Sequence, residues 1–324
     1  MITSLLTNYG LIISLSIVGA LVALIVFVFL PPWFIALKVY KSQLVRTSSE
    51  KWGRECSAPD NAEQVAMYDT GKQWAEKNRE YITEVSVTSE GFKLVGEYFD
   101  FGCDRAVIVI PGRTESLWYS YYFSEPYKRA GYNVLVIDNR AHGLSEGKYD
   151  CVGLKEYKDI LAWAKLLHDK FLNKKILLHG ICIGSATALY ALTSKACHDY
   201  MQGIVADGMY TTFYETFKNH MIEEKRPLYP FIWEIALIMR LYSGVRMTYG
   251  PIKCIDKLEA PILFLYSKED KFSLPEKAQI LYDKCKSDKQ LVWFDKGAHS
   301  HIRINNEEAY DEAIQKFIQE KFDA

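Results

Sequence analysis

Lys175-Ile-Leu-Leu-His179 runs directly into Gly180-Ile181-Cys182-Ile183-Gly184. The first five residues form a short apolar run of the kind that becomes a buried strand. The next five have the G-x-nucleophile-x-G spacing of a nucleophile elbow. There the nucleophile stands on a tight turn between a strand and a helix, and a side chain at either flank would strike neighbouring backbone. Gly180 and Gly184 meet that demand, and cysteine stands where serine is usual. The stretch predicts an α/β fold and a nucleophilic thiol at Cys182.

The surrounding sequence has the rhythm that such a fold needs. Val85-Ser-Val and Phe92–Phe99 alternate apolar and polar residues across the turn signal Glu90-Gly91, as half-buried strands do. Short continuous apolar runs follow at Ala106–Ile110, Asn133–Ile137, Lys175–Leu178, Gly203–Ala206, Pro261–Tyr266 and Gln290–Phe294. Such runs read as strands buried on both faces, hence a mostly parallel sheet. Helical segments are predicted between them, at about 117–130, 154–170, 184–194, 275–285 and 306–322. Thr211–Met247 carries no strand signal but many large apolar groups, among them Phe213, Phe217, Trp233 and Leu237. Its length predicts a helical cap insertion, at about 211–250, over the carboxyl ends of the strands. Ordinary helices packed on the sheet are the alternative.

Two further residues complete a catalytic order. Asp270 follows the strand Ile262–Tyr266, and His299 follows the strand Leu291–Phe294 within Lys296-Gly-Ala-His299. Both lie just past a strand's carboxyl end, where open α/β sheets place their sites. His299 would accept the thiol proton, Asp270 would orient the imidazole, and Cys182 would attack a carbonyl carbon to form a thioester. A helix N-terminus and an adjacent histidine both favour a thiolate at Cys182. Backbone N–H groups of Ile183 and Arg113 are the candidate oxyanion donors. Asp207, which also ends a strand, is the alternative acid, and His301 is the rival base. His142 and His179 are expected to hydrogen-bond within loops framing the site. Neither has metal-ligand spacing, so no metal site is expected. No P-loop or G-x-G-x-x-G is present, and no cofactor is expected.

These ordered motifs resemble the α/β-hydrolase superfamily over roughly residues 82–322. Pro111-Gly-Arg-Thr-Glu-Ser116 is similar to the oxyanion segment of bacterial lysophospholipases and monoacylglycerol lipases of the serine-aminopeptidase type. Asp138-Asn-Arg-Ala-His142-Gly-Leu-Ser145-Glu-Gly resembles the D-x-R-G-H-G-x-S-x-G loop of that group, and Ala206-Asp207-Gly-Met-Tyr-Thr resembles the segment before the cap in its membrane-anchored bacterial relatives. Two positions depart from the pattern. Pro111 replaces a histidine, and Cys182 replaces serine, as an elbow cysteine does in dienelactone hydrolase. The resemblance implies hydrolysis of carboxylic esters or thioesters, with a small-molecule or lipid-like acyl substrate such as a monoacylglycerol or lysophospholipid. A catalytically inactive ligand-binding protein and an acyltransferase are the alternatives.

The N-terminus points to a bilayer. The first 37 residues carry no charged side chain, and Leu11–Leu30 is a 20-residue apolar run. That length crosses a hydrocarbon core of ~30 Å. Pro31-Pro32 is expected to end the helix, with Trp33 and Tyr40 at the interface. No Lys or Arg precedes the run, which disfavours a cleaved signal peptide. Lys38, Lys41, Arg46, Lys51 and Arg54 follow it, so the positive-inside rule puts the catalytic domain in the cytoplasm, the outer face being the alternative. The seven cysteines are odd in number and lack disulfide-framework or zinc spacing. A net charge of −1 gives no electrostatic case for nucleic acid. The predicted organisation is an anchor at 1–37, a connector with a helix at 38–81 and a catalytic domain at 82–324. Nothing in the sequence sets the oligomeric state.

Overall fold

The apolar runs assemble into one eight-stranded sheet in the computed structural model, which describes residues 2–323. The strands are β1 (Ile82–Ser89), β2 (Phe92–Phe99), β3 (Arg105–Ile110), β4 (Asn133–Ile137), β5 (Lys175–Ile181), β6 (Met201–Asp207), β7 (Ile262–Ser267) and β8 (Lys289–Phe294). Their spatial order is β1-β2-β4-β3-β5-β6-β7-β8. β1 and β2 form an antiparallel hairpin, β2 lies antiparallel to β4, and every later pairing is parallel. Helices cover both faces, which is why the central strands read as continuous apolar runs. In β3, Ala106, Ile108 and Ile110 enter one core layer, and Val107 and Val109 enter the other.

The helices are α1 (Ile2–Leu44), α2 (Ala62–Lys77), α3 (Leu117–Ser120), α4 (Glu125–Arg129), α5 (Tyr157–Asp169), α6 (Ile183–Leu192), α7 (Phe213–Glu223), α8 (Phe231–Ser243), α9 (Pro275–Lys284), α10 (Ile302–Asn305) and α11 (Glu307–Phe322). The single helix expected near 117–130 is broken into α3, a 3-10 turn at Tyr121–Phe123, and α4. Pro126 lies in the first turn of α4, where its missing N–H costs nothing, so the chain restarts a helix there.

The larger departure concerns α1. Pro31 and Pro32 do not end it, and the helix continues to Leu44. Two prolines inside a helix cost roughly 3 kcal/mol or more each. Packing offsets that cost. Ala36, Tyr40 and Leu44, spaced four apart on one face, are fully buried, and α1 lies along α8. Each large side chain so buried contributes about 1.5–3 kcal/mol. Tyr40 is therefore a core residue, not an interfacial one, and its ring lies 5.8 Å from that of Tyr242. Tyr9–Leu44 is long and apolar enough to cross a membrane, with a mean hydropathy of 3.0 in its most apolar window and none of that window buried.

The C-terminal end of α1 is fastened to the domain. Lys51 Nζ donates to Lys41 O and Val45 O, and Arg113 Nη1 donates to Gln43 O and Oε1. The Arg46 guanidinium donates to Gly143 O and Ser145 O. The segment after α1 is thus a tight strap. Within it α2 is capped by Asn61, whose side chain accepts from Glu63 N and Gln64 N. Trp74 docks α2 on the domain through a 2.7 Å bond to Glu125 and ring contact with Phe99.

Candidate active site

β5 delivers Cys182 to the carboxyl edge of the sheet. The residue has φ 53° and ψ −109°, a conformation that costs a non-glycine residue on the order of 1–3 kcal/mol. The turn is held by Cys182 N donating to Asp207 O at 2.8 Å and by Ser185 Oγ donating to both Gly180 O and Asp207 O. Both flanking glycines are obligatory. A Cβ on Gly180 would lie 2.2 Å from Gly184 C and Ser185 N, and one on Gly184 would lie 2.1 Å from Ile110 O.

Past β7, Asp270 is oriented from two directions. Its Oδ1 accepts from the N–H groups of Phe272 and Ser273, each at 2.8 Å, and its Oδ2 accepts from His299 Nδ1 at 2.7 Å. That bond fixes the imidazole tautomer and leaves Nε2 aimed at the cavity, buried with no hydrogen-bond partner among the described residues. Burial opposes a positive charge on His299, but Asp270 and Cys182 favour it more strongly. The proton affinity of His299 is held well above the usual histidine range.

Cys182 and His299 line one cavity of about 190 Å³. Its walls differ in character. Phe213 and Phe217 from α7 and Phe272 supply large apolar surface, interspersed with Thr216 and His220 of α7, whereas Gln64, Glu115 and His301 supply polar groups. Gly112 and Arg113 of the loop after β3 border the same space. A Cβ on Gly112 would be 3.8 Å from Cys182 Cβ, so this loop runs beside the thiol. The N–H groups of Arg113 and Ile183 donate to no acceptor among the described residues.

The loop is propped from behind by the 138–147 segment. Buried Asp138 accepts from Leu117 N, Leu144 N and Arg54 Nε. A Cβ on Gly143, where φ is +50°, would lie 2.1 Å from the Asp138 carboxyl carbon. His142 bonds within this loop: its Nδ1 donates to Arg140 O at 3.0 Å and its Nε2 accepts from Thr114 N at 3.3 Å. Burial lowers its proton affinity, consistent with that neutral role.

His179 differs from expectation. It lies inside β5 under the site, and its Nε2 is 3.1 Å from Tyr310 Oη. Tyr310 donates in turn to Asp207 Oδ2 at 2.7 Å. Asp207 is therefore not brought to His299 Nδ1, which Asp270 occupies. His301 also has a carboxylate at Nδ1, from Glu63 Oε2 at 3.2 Å, but its Nε2 is bonded to Gln64 Oε1 at 2.6 Å, whereas His299 Nε2 has no partner among the described residues. The sequence reading overlooked α2 as a wall of the site. Gln64 Nε2, Tyr68 Oη and Ser57 Oγ all donate to buried Glu115, and burial raises the pKa of that carboxyl despite these donors. No local pattern marks these contacts, which span about fifty residues of sequence.

Asp207 offers a test by titration. Burial pushes its pKa up to about 7, against the stabilising bond from Tyr310. The unfolded chain releases this proton near pH 3.9. Between about pH 4 and pH 7 the folded state thus holds the extra proton, and stability falls as pH rises. Asp207→Asn removes that penalty. Its stability advantage over wild type, measured by denaturant unfolding, should grow from pH 4 to pH 7 to on the order of a few kcal/mol and then stay level.

Comparison with known proteins agrees with this architecture. The sequence family described as alpha/beta hydrolase fold matches residues 105–229. YqkD, an uncharacterized protein of Bacillus subtilis, is 29% identical over 218 residues, covering 66% of this chain and 71% of its own length. An uncharacterized membrane protein of Saccharomyces cerevisiae is 27% identical over 197 residues, 60% of this chain and 63% of its own. Among solved structures, the Pyrococcus furiosus esterase Pf2001 superposes with a TM-score of 0.66 at 27% identity, covering 76% of this chain and 94% of the esterase.

Proposed function

We propose that this chain, which has the α/β-hydrolase fold, is a membrane-anchored hydrolase of carboxylic esters or thioesters that uses Cys182 as its nucleophile. The carrying observation is that Cys182 shares a cavity with His299, whose Nδ1 is bonded to Asp270 and whose Nε2 has no partner among the described residues. The likeness to a solved esterase supports ester chemistry. The long apolar helix α1, and a yeast relative described as a membrane protein, support anchoring. The basic residues after the span favour a cytoplasmic catalytic domain.

In this mechanism Cys182 Sγ attacks the carbonyl carbon and His299 Nε2 takes the thiol proton. Negative charge on the carbonyl oxygen is met by the Arg113 and Ile183 N–H groups. His299 returns the proton to the leaving alkoxide or thiolate, and a thioester remains on Cys182. Water then attacks, His299 accepts its proton, and the acid leaves as the thiol is restored. Asp270 holds the imidazole and stabilises its charged form. Accordingly, Asp270→Asn should lower kcat by about 10³–10⁴-fold, while Asp207→Asn should stay within about tenfold of wild type. Equal losses in the two variants would refute this assignment of the acid.

The cavity bears on the acyl group. At about 190 Å³ it falls below the 300–1,000 Å³ of pockets that enclose drug-sized ligands. Phe213, Phe217 and Phe272 suit an apolar acyl chain, and Gln64, Glu115 and His301 suit a polar leaving group. A chain-length series of esters and thioesters on the full-length protein tests this, with kcat/KM expected to peak at about four to eight acyl carbons. A maximum at acetyl would contradict the acyl-chain reading.

A further inference from the structure

Helix α8 is apolar on two sides. Its inner side buries Ile232, Ile235, Ile238 and Met239. Its outer side leaves Trp233, Leu237 and Leu241 exposed by 56%, 49% and 65%, and their spacing puts them in one row along the helix. Tyr229, also exposed, extends the row through ring contact with Trp233 at 4.6 Å. Scattered exposed apolar residues need no explanation, but a contiguous stripe of large ones marks a contact surface.

The position of the stripe identifies what covers it. α1 packs on α8, and Ala36, fully buried there, lies six positions beyond Leu30, the end of the apolar run. That is about 9 Å along the axis. The polar zone on each side of a bilayer is roughly 5–8 Å thick, so the start of the α1–α8 contact stands at the outer edge of the head-group zone. α1 is one unbroken helix, and Lys51 and Arg113 bind its last turns, so the domain is held against that end of the anchor. The residue types fit the same place. Trp and Tyr favour the membrane interface, and exposed Arg240, between Leu237 and Leu241, can extend its charge to phosphate while its stem stays on apolar surface.

We infer that α8 is a second, peripheral membrane contact, with its outer face seated in the interface of the bilayer that α1 crosses. This rests on the anchored reading of α1. The contact would bring the cap, whose α7 supplies Phe213 and Phe217 to the cavity, onto the lipid surface and present that cavity to substrates held there.

The test uses the full-length protein in phosphatidylcholine vesicles with brominated or ordinary acyl chains. Subtracting the fluorescence of Trp233→Phe from wild type isolates the Trp233 signal, and Trp33→Phe isolates Trp33 in the same way. Both signals are expected to fall at least twofold in the brominated vesicles. Quenching of Trp33 with Trp233 unchanged would overturn the α8 contact and leave the anchor standing. Quenching of neither would overturn the anchor and the contact together. A Trp233 signal shielded from aqueous iodide yet insensitive to bromine would show a protein covering the face, such as a second copy of this chain, and would also overturn the proposal.

Discussion

Replacing Cys182 by alanine is expected to lower kcat toward esters and thioesters by about 10⁴–10⁶-fold, because no other group at the apex of the elbow can form the acyl intermediate. The fold should be unaffected. Alanine keeps the backbone conformation, and the bonds from Cys182 N to Asp207 O and from Ser185 Oγ to Gly180 O involve no Cys182 side-chain atom. Residual activity should come only from the N–H groups and substrate positioning. Cys182→Gly should be equally inactive yet more stable by about 1 kcal/mol, since φ 53° strains any residue with a Cβ. Steady-state kinetics and denaturant unfolding of the two variants separate chemistry from strain. Activity of Cys182→Ala within tenfold of wild type would contradict the mechanism.

The second large effect is on folding. Gly184→Ala is expected to cost more than about 4 kcal/mol and to yield little folded protein. Its new Cβ would lie 2.1 Å from Ile110 O and 2.9 Å from Ile110 C. Ile110 ends β3, which pairs with both β4 and β5, so its backbone cannot retreat without breaking the sheet beneath the thiol. Glycine at this position lets α6 start directly against the end of β3 and the loop that follows it. Gly19→Ala is the control, with open space around the added carbon and no folding defect expected. The measurement is the denaturant midpoint of each variant, read by tryptophan fluorescence in detergent. A Gly184→Ala midpoint equal to that of Gly19→Ala would contradict the steric account.

Much of the fold was legible because its physics is local. Strands buried on both faces must be apolar throughout, so Ala106–Ile110 and Ile262–Tyr266 announce themselves in the sequence. The turn at Cys182 is legible for a related reason: crowding forces two glycines to fixed positions around it. What sequence reading could not reach depends on partners distant in the chain. Pro31-Pro32 looks like a helix end until Ala36, Tyr40 and Leu44 are seen buried where α1 packs on α8. Gln64 looks like an ordinary polar residue on a connector helix until it is found bonded to Glu115 and His301 across the cavity. His179 is expected from sequence to bond within a loop framing the site, but the strand continues through it to Ile181 and buries it beneath the site. In the pair Asp207 and Asp270, both past or at strand ends, the sequence does not show that Asp270 bonds His299 Nδ1 while Asp207 accepts from Tyr310.

Intact-mass measurement after rapid mixing with a slowly hydrolysed ester or thioester addresses the central claim most directly. A single acyl adduct should form on wild type, map to Cys182, be released by hydroxylamine, and be absent from Cys182→Ala. Steady turnover with no adduct on Cys182 at any mixing time, and the same turnover in Cys182→Ala, would contradict it.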